Sequence, residues 1–274
     1  MVRLRRSISR ITDLKLLQLN HGLELSSNGS ILYASSAETL YSWEYNPATS
    51  SNTSAPRTLV TGMSTSDHTT RTLLLSRKVN GMMLINRGST SNLDAEAENI
   101  SSGHSQIKAF NLDNVTSPYD FNKDGLLLGW GLRNNVGVDE EPLTGGIYSV
   151  ENSVDDMTRN GQDIHQNNPG EELNFLGYLN GTHYAGQGQN YGYPTCFAAW
   201  DVSAIPNNAG IQVGTQFAIG HQNATVNDTL CVRNTIAPRL TFQAHMAPLD
   251  ILFNQNGTAA WITFHGSWSV SGSV

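Results

Sequence analysis

Several polar corners of this 274-residue sequence carry side chains suited to proton and electron transfer. Asp67 precedes His68, so a carboxylate lies beside an imidazole, a side chain that titrates near neutral pH and often acts as a general base. The candidate residues at these corners are Asp67, His68, Arg71, Arg133, Asn134 and His245. A single His or Arg at such a corner is most often a surface or turn residue satisfied by main-chain carbonyls, and Asp67-His68 alone could equally be a solvated loop, so the prediction depends on what brings these residues together.

Short β-strands are the elements that must position these corners. Apolar runs bounded by Gly, Asn, Asp and Ser recur along the chain, whereas helical periodicity is scarce. The runs cover residues 31–34, 39–45, 72–75, 82–85, 146–150 and 261–264. This pattern predicts an all-β fold.

A longer repeat underlies these runs and consists of a polar corner, an apolar strand, a turn that usually contains Gly, and a second strand. Its four copies cover residues 21–34, 68–85, 133–150 and 247–262. A β-propeller is built from four-stranded blades of roughly 40–50 residues, so the chain has material for about four or five blades. Because the corners before the innermost strands open at one mouth of the channel, we expect the corner residues to line one ligand pocket there.

The charge balance of the chain argues against a nucleic-acid partner, because 16 Lys and Arg face 23 Asp and Glu, a net charge of −7. No run approaches the ~18 consecutive apolar residues of a membrane span. The sequence also lacks the ligand spacing of a zinc site, a phosphate-binding glycine loop and the nucleophile elbow of hydrolases. Zinc and nucleotide cofactors are therefore not predicted.

Three features bear on the cellular compartment. Cys196 and Cys231 are the two cysteines of the chain and can form one disulfide, which an oxidising compartment allows. Glycosylation sequons of the form Asn-x-Ser/Thr begin at Asn28, Asn52, Asn99, Asn114, Asn180, Asn223, Asn227 and Asn256. The basic segment at residues 1–8 lacks the apolar core of a secretory signal. We therefore expect an extracellular parent protein whose N-terminus is incomplete in this chain.

The turn at residues 167–172, Asn-Asn-Pro-Gly-Glu-Glu, combines main-chain carbonyls with carboxylates and amides. Such hard oxygen atoms are the ligands that Ca²⁺ prefers in proteins. The same composition is typical of a plain acidic turn, so both interpretations of this segment stay open on composition alone.

Seven motifs, in order along the chain, resemble those of one family: the fungal secreted pyrroloquinoline-quinone (PQQ) dependent pyranose dehydrogenases, relatives of the soluble glucose and sorbosone quinoprotein dehydrogenases. The motifs lie at residues 67–74, 87–89 with Asn92, 129–134, 168–174, 190–194, His245 with 247–250, and 264–268. The resemblance extends from about His21 to Trp268. It implies a six-bladed propeller that holds PQQ and Ca²⁺ at the channel mouth, where the anomeric hydroxyl of a pyranose or ketoaldose is oxidised.

The resemblance also implies catalytic roles for the corner residues. His68 would be the general base that takes the hydroxyl proton, with Asp67 beside it at the substrate. Arg133 and Asn134 would contact the quinone, where a guanidinium stabilises the negative charge that hydride addition places on the quinone oxygen.

Further contacts with the metal and the cofactor follow from the same resemblance. The main-chain carbonyls of Asn168 and Pro169 would bind calcium, which acts as a Lewis acid. Additional cofactor contacts would come from Arg71, His245 and Trp268, although Trp268 is equally compatible with an ordinary core aromatic. Relatives in this family pass electrons to a haem domain or a copper oxygenase, so the resemblance implies an external electron acceptor.

The family pattern extends beyond this chain at both ends. Members carry a further blade before the first matching motif and a long segment after the last. We therefore divide the chain into residues 1–20, a basic segment in place of the signal and first blade, and residues 21–274, an incomplete propeller.

Two other functions remain open on the sequence alone. An incomplete propeller has open strand edges and lacks part of its cofactor contacts, so it would bind a sugar or a partner without turning it over. A calcium-dependent hydrolase, such as a lactonase, is built on a similar propeller and would need no PQQ.

Overall fold

β-Strands make up most of the regular structure in the computed structural model, which describes residues 17–113 and 115–266. In chain order the strands are β1 (Leu19–Leu25), β2 (Ile31–Ser36), β3 (Leu40–Asn46), β4 (Ser51–Asn52), β5 (Arg57–Thr61), β6 (Leu73–Leu75), β7 (Met82–Arg87), β8 (Gln106–Asn111), β9 (Tyr119–Asp120), β10 (Leu126–Trp130), β11 (Asn135–Glu140), β12 (Gly146–Glu151), β13 (Thr158–Arg159), β14 (Gln162–Asp163), β15 (Glu171–Tyr178), β16 (Cys196–Ala198), β17 (Gln216–Ala218), β18 (Leu240–Phe242), β19 (Pro248–Phe253) and β20 (Ala260–Phe264). Each predicted apolar run overlaps one of these strands, which confirms the all-β prediction.

The helices of the described region are short. The α-helix α1 spans Asp228–Asn234 and begins where the Asn227 side chain accepts the Leu230 N–H at 3.0 Å, a typical N-cap contact. 3₁₀-helices cover Ala95–Glu98, Ile100–Ser102 and Val202–Ala204. A helix of about two turns is too short for a periodic apolar pattern to reveal it in the sequence. Within the described ranges, none of the helices has the length and apolar character needed to cross a membrane.

Three sheets carry most of the strands. Their strand orders are β1-β2-β3-β5-β9 with β4 paired to β3, β6-β7-β8-β10, and β11-β12-β15-β18. In addition, β13 pairs with β14, β16 with β17, and β19 with β20. The two strands of each predicted repeat pair antiparallel as β1–β2, β6–β7, β11–β12 and β19–β20, which confirms the repeat.

The first strands of successive repeats lie side by side. β6 contacts both β1 and β11, and β11 contacts β19. The sheets are therefore arranged radially around their first strands, as propeller blades are, and the corners that precede these strands open toward a common region. The number of blades stays a prediction.

Apolar side chains fill the spaces between neighbouring sheets. The cluster between the first and second sheets contains Leu40, Val60, Met83, Ile85 and Phe110. The cluster between the second and third sheets contains Leu84, Ile107, Leu128, Ile147 and Leu176. A strand that is covered on both faces buries successive side chains, which explains why the sequence shows continuous apolar runs rather than strict alternation.

The N-terminal end of the described chain already belongs to the first sheet. β1 begins at Leu19, two residues before the predicted boundary at residue 21. In that strand, Asn20 Nδ2 donates to the Thr69 carbonyl at 2.9 Å and connects β1 to the corner that contains His68. Residues 1–16 lie outside the described region, and the division of the chain at residue 20 stays a prediction.

Two tryptophans on strands offer a matched test of this packing. Trp43 is 2% exposed and packs against Leu32 and Ala34, whereas Trp261 is 60% exposed. We expect Trp43→Ala to lower the free energy of unfolding by about 3–5 kcal/mol, because it removes a large buried side chain. We expect Trp261→Ala to change it by less than about 0.5 kcal/mol. Urea unfolding followed by circular dichroism measures both, and equal effects would contradict the difference in burial between Trp43 and Trp261.

Candidate active site

His68 lies in the corner before β6 and is half-buried. Its Nδ1 is 2.8 Å from Ser89 Oγ, and its main-chain N–H donates to the Ser89 carbonyl at 3.2 Å. Burial, followed by the positive charge of Arg133, lowers the pKa of His68 to about 4, although the nearby carboxylate of Asp67 acts in the opposite direction. The imidazole is therefore neutral at pH 7.

Gly88 lies where the corner that contains His68 meets the corner that contains Arg133 and Asn134. A Cβ on Gly88 would lie 2.6 Å from His68 Cβ and 3.1 Å from Asn134 Oδ1. A contact of 2.6 Å between carbon atoms is too close to exist, so only a residue without a side chain permits this approach. The absence of a Cβ thus lets His68 and Asn134 flank the same short segment of main chain.

Arg133 is the positively charged group of the second corner, and its side chain is 4% exposed. Its five N–H groups donate to the Asn92 carbonyl and Oδ1, the Asn152 and Ser153 carbonyls and Asp155 Oδ2, at 2.5–3.3 Å. Its own carbonyl accepts the Ser89 N–H at 2.9 Å. Because all five donors are occupied by protein acceptors, a direct bond to a ligand requires the exchange of one of them. A contact of Arg133 with a quinone stays a prediction.

Asn134 presents an unused acceptor at the same place. Its side-chain oxygen is buried and accepts no hydrogen bond from the described residues. A buried polar atom without a partner is unfavourable in a folded protein and frequently marks the position of a ligand or water. The predicted role of Asn134 in cofactor binding therefore has a free hydrogen-bonding atom to support it.

Arg71 and His245 occupy corners but are buried in protein contacts. The Arg71 guanidinium donates to the carbonyls of Met63, His68 and Thr70 and to Thr65 Oγ1, at 2.6–2.8 Å. Burial lowers the pKa of Arg71 to about 9. His245 Nε2 lies 2.5 Å from the His165 carbonyl. Arg71 holds the main chain of its own corner in place, whereas His245 contacts the segment that precedes the turn at residues 167–172. Contact of either side chain with a cofactor stays a prediction.

The buried turn at Asn168 and Pro169 leaves two main-chain oxygen atoms without a hydrogen-bond donor among the described residues. The Asn168 side chain stabilises the turn, because Nδ2 donates to the Asp201 carbonyl at 2.9 Å and Oδ1 accepts the Trp200 N–H at 2.8 Å. The carbonyls of Asn168 and Pro169 accept no hydrogen bond from the described residues. No group of three or more His, Cys, Asp or Glu side chains in the described region could hold a metal, so a calcium site at this turn would depend on these carbonyls.

Glu171 connects that turn to the two corners next to it. Its carboxylate accepts the Ser153 N–H at 2.7 Å and the Ala247 N–H at 3.1 Å. Ser153 is also an acceptor for Arg133, and Ala247 follows His245 by two residues. The three segments that sequence motifs selected as cofactor and metal contacts are therefore joined by hydrogen bonds.

Three buried glutamates accompany these segments, and no sequence pattern predicted their burial. Burial raises the pKa of Glu171 and Glu172 to about 7. Burial and the charge of Glu172 raise the pKa of Glu151 well above its usual value. Glu151 and Glu172 are paired residues of β12 and β15, and Asn174 Nδ2 donates to both, at 3.2 and 3.0 Å. No local signal distinguishes them from exposed strand glutamates.

The remaining predicted residues fall in three places. Asp67 is exposed next to His68, and its substrate contact stays a prediction. Cys196 of β16 and Cys231 of α1 are joined by a disulfide. Trp268 lies outside the described residues. Ser89 contacts His68, and Asn92 contacts Arg133. Both lie in a motif that carries the family resemblance, but no sequence pattern predicted a role for either.

Sheets arranged radially define a propeller-type protein, and the corners of these sheets form a polar candidate site. The chain belongs to the TrAA12-like family, whose profile matches residues 3–274. This membership confirms the resemblance found in the sequence motifs.

Individual relatives agree with that membership. The chain is 52% identical over 255 residues to a pyrroloquinoline quinone-dependent sugar dehydrogenase of Hypocrea jecorina, covering 91% of this chain and 58% of the relative. It superposes on a calcium structure of the Trichoderma reesei member of Carbohydrate-Active Enzymes Family AA12 with a TM-score of 0.88 at 51% identity, over 93% and 63% of the two chains. The superposition on the holo form of the pyranose dehydrogenase PQQ domain from Coprinopsis cinerea has a TM-score of 0.85 at 37% identity, and it covers 93% of this chain and 62% of that domain. The chain thus spans about three fifths of these relatives.

The raised pKa of Glu172 predicts a dependence of stability on pH. The usual pKa of the carboxyl is 4.5, and burial raises it to about 7 in the fold. Between these values the folded state binds more protons than the unfolded state, so Glu172 makes stability fall as pH rises. Glutamine carries no such charge. As the pH rises from about 4.5 to about 7, we expect the free energy of unfolding of Glu172→Gln to increase by about 1–3 kcal/mol relative to that of the wild type.

Urea unfolding at a series of pH values measures this change. The control is Glu44→Gln on β3, because Glu44 is exposed and its replacement removes an equivalent charge without changing the buried cluster. The same pH dependence in both variants would show that the buried position of Glu172 has no effect.

Proposed function

We propose that this chain forms the larger part of the catalytic propeller of a PQQ- and Ca²⁺-dependent dehydrogenase that oxidises a pyranose or ketoaldose at its anomeric carbon. The observation that carries the proposal is that Ser89 joins the corner of His68 to the corner of Arg133. Its Oγ lies 2.8 Å from His68 Nδ1, and its N–H donates to the main-chain carbonyl of Arg133 at 2.9 Å. The charge of Arg133 is near enough to lower the pKa of His68. The names of the relatives, a PQQ-dependent sugar dehydrogenase and a pyranose dehydrogenase PQQ domain, support the same chemistry.

The residues present fit a polar, anionic cofactor. Gly88 lets His68 and Asn134 approach the same short segment of main chain, and the side-chain oxygen of Asn134 has no partner among the described residues. The buried positive charge of Arg133 stabilises negative charge that develops nearby, because few water molecules screen it. Bound PQQ would supply the two-electron acceptor for hydride from the sugar.

The residues of the turn at 168–169 fit calcium. The free carbonyls of Asn168 and Pro169 are hard oxygen donors, as Ca²⁺ requires. Glu171, three residues after Asn168, connects this turn to Ser153 and so to Arg133. Calcium held at these carbonyls would supply a Lewis acid next to the same corner.

His68 is the general base of the proposed reaction. Its lowered pKa keeps the imidazole neutral at pH 7. The neutral ring has one nitrogen without hydrogen, and this nitrogen can accept a proton. The proton of the anomeric hydroxyl passes to Nε2, the ring nitrogen that receives no hydrogen bond from the described residues. The carboxylate of the neighbouring Asp67 is exposed and acts electrostatically on the imidazole, and a sugar hydroxyl can donate to it.

The proposed protein acts outside the cell and passes its electrons to an external acceptor, a haem domain or a copper oxygenase. The Cys196–Cys231 disulfide supports an oxidising compartment. Five of the glycosylation sequons lie at exposed asparagines, namely Asn28, Asn99, Asn180, Asn223 and Asn256.

Replacement of the general base tests the proposal. We expect His68→Gln to lower kcat/KM for sugar oxidation by about 10²–10⁴-fold, because glutamine cannot accept the proton. Affinity for PQQ should stay unchanged, since glutamine keeps a polar side chain of similar size. Dye-coupled sugar oxidation and titration with PQQ measure the two quantities, and His183→Gln, at an exposed histidine, is the control.

Three results would contradict the proposal. Absence of sugar oxidation by the wild-type chain in the presence of PQQ and Ca²⁺ would favour a propeller that binds without turnover. Full activity of His68→Gln would exclude His68 as the base. Hydrolysis of lactones without PQQ would favour the hydrolase.

Removal of calcium tests the proposed metal site at the carbonyls of Asn168 and Pro169. We expect a chelator to abolish sugar oxidation and Ca²⁺ to restore it, whereas Mg²⁺ restores it poorly because it demands a tighter octahedral set of ligands. Binding of Ca²⁺ should also raise the free energy of unfolding, by about 2.7 kcal/mol when the Ca²⁺ concentration is 100 times Kd. Thermal unfolding with and without Ca²⁺ measures this, and full activity after chelation would exclude the metal.

A further inference from the structure

Ser89 is a fully buried serine in contact with both sides of the proposed site. Its side chain and main chain are 0% exposed. Its N–H donates to the Arg133 carbonyl at 2.9 Å, and its carbonyl accepts the His68 N–H at 3.2 Å. Its hydroxyl lies 2.8 Å from His68 Nδ1. The main chain of Ser89 therefore joins the two corners, while its hydroxyl faces the imidazole.

The hydrogen of the Ser89 hydroxyl is assigned by its second contact. Ser89 Oγ lies 2.8 Å from the Ser91 carbonyl oxygen. A carbonyl oxygen only accepts hydrogen bonds, so the single hydroxyl hydrogen of Ser89 must point toward Ser91. Toward His68 the hydroxyl oxygen can then only accept, and the hydrogen between the two side chains must be on Nδ1 of the imidazole.

The opposite arrangement is unfavourable for a specific reason. If the Ser89 hydroxyl donated to His68 Nδ1, two oxygen atoms without a hydrogen between them would face each other at 2.8 Å inside the protein. Tyr193 keeps the Ser91 carbonyl in position, because its hydroxyl contacts the carbonyls of Ser91 and Asn92 at 3.2 and 3.1 Å. The acceptor for Ser89 is thus held in place.

We propose that Ser89 is a positioning residue that holds His68 in the tautomer with hydrogen on Nδ1 and the free electron pair on Nε2. A neutral imidazole has one protonated and one unprotonated nitrogen, so the bond at Nδ1 decides which nitrogen can act as a base. The consequence of this tautomer for catalysis rests on the proposed function of His68 as the general base. The tautomer itself is a property of the chain without cofactor.

The charges around His68 agree with a neutral ring. Arg133 disfavours a second proton on the imidazole, whereas Asp67 and Asp155 favour it, and burial together with Arg133 outweighs them. At neutral pH the ring therefore exists as one of its two neutral tautomers, and the hydrogen bond to Ser89 selects between them.

Nuclear magnetic resonance of the ¹⁵N-histidine-labelled full chain tests the proposal directly. Two-bond ¹H–¹⁵N spectra near neutral pH distinguish a protonated from an unprotonated ring nitrogen, and His68→Gln identifies the signals of His68. We expect Nδ1 in the protonated range and Nε2 in the unprotonated range. The reverse assignment in the wild-type chain would overturn the proposal without any variant of Ser89.

Variants of Ser89 test its role separately. We expect Ser89→Ala to shift the Nε2 signal toward the protonated range and Ser89→Thr, which keeps the hydroxyl, to restore the wild-type signal. The control is Ser66→Ala. The Ser66 hydroxyl lies near the same corner but donates to the Thr90 carbonyl and not to His68, so its removal should leave the Nε2 signal unchanged. An unshifted Nε2 signal in folded Ser89→Ala would overturn the proposal.

Kinetics connect the tautomer to turnover. With PQQ and Ca²⁺ we expect Ser89→Ala to lower kcat for sugar oxidation by about tenfold, because a smaller fraction of His68 presents a free pair at Nε2. KM should stay unchanged, since Ser89 does not touch the sugar. The predicted spectra in a chain that oxidises no sugar would contradict the proposed function and leave the role of Ser89 intact. An active Ser89→Ala chain with unaltered kcat would overturn the positioning role.

Discussion

The site depends on the contact of one short loop with two corners that lie far apart in the sequence. Ser89 bonds through its main chain to His68 on one side and to Arg133 on the other. The neighbouring Gly88 makes this approach possible, because a side chain there would overlap His68. Main-chain hydrogen bonds on a β-scaffold thus fix the main chain of the His68 corner relative to that of the Arg133 corner, and a site held by regular elements is more precise than one held by loops alone.

The electrostatics of the site follow from the burial of charged groups around one guanidinium. Arg133 bonds to Asp155 and, through its main-chain N–H, to Glu151 at 2.6 Å. Burial disfavours every charged form, so it raises the pKa of the buried carboxyls and lowers that of His68. Near neutral pH the corner therefore combines a neutral base with a permanent positive charge, a combination suited to taking a proton while negative charge develops nearby.

Sequence patterns predicted the scaffold and the corners but not the contacts between them. His68, Arg133 and Asn134 were found because the strand pattern repeats and each precedes a first strand. Ser89 and Asn92 belong to a recognised motif, yet nothing in the motif shows that one hydroxyl faces the imidazole or that one amide contacts the guanidinium. Such contacts depend on the register of neighbouring loops, which residues distant in the chain determine.

The sequence by itself determined the strands, their pairing within each repeat and the corner positions, because these depend on local apolar runs and turn residues. Only the tertiary structure decided which polar groups are buried. It left the Asn134 oxygen without a partner in the described region, surrounded Arg71 with carbonyls and enclosed Glu151 and Glu172 between strands. Burial changes the hydrogen-bonding and protonation of a side chain, and it is a property of the neighbours that the fold supplies, not of the residue type.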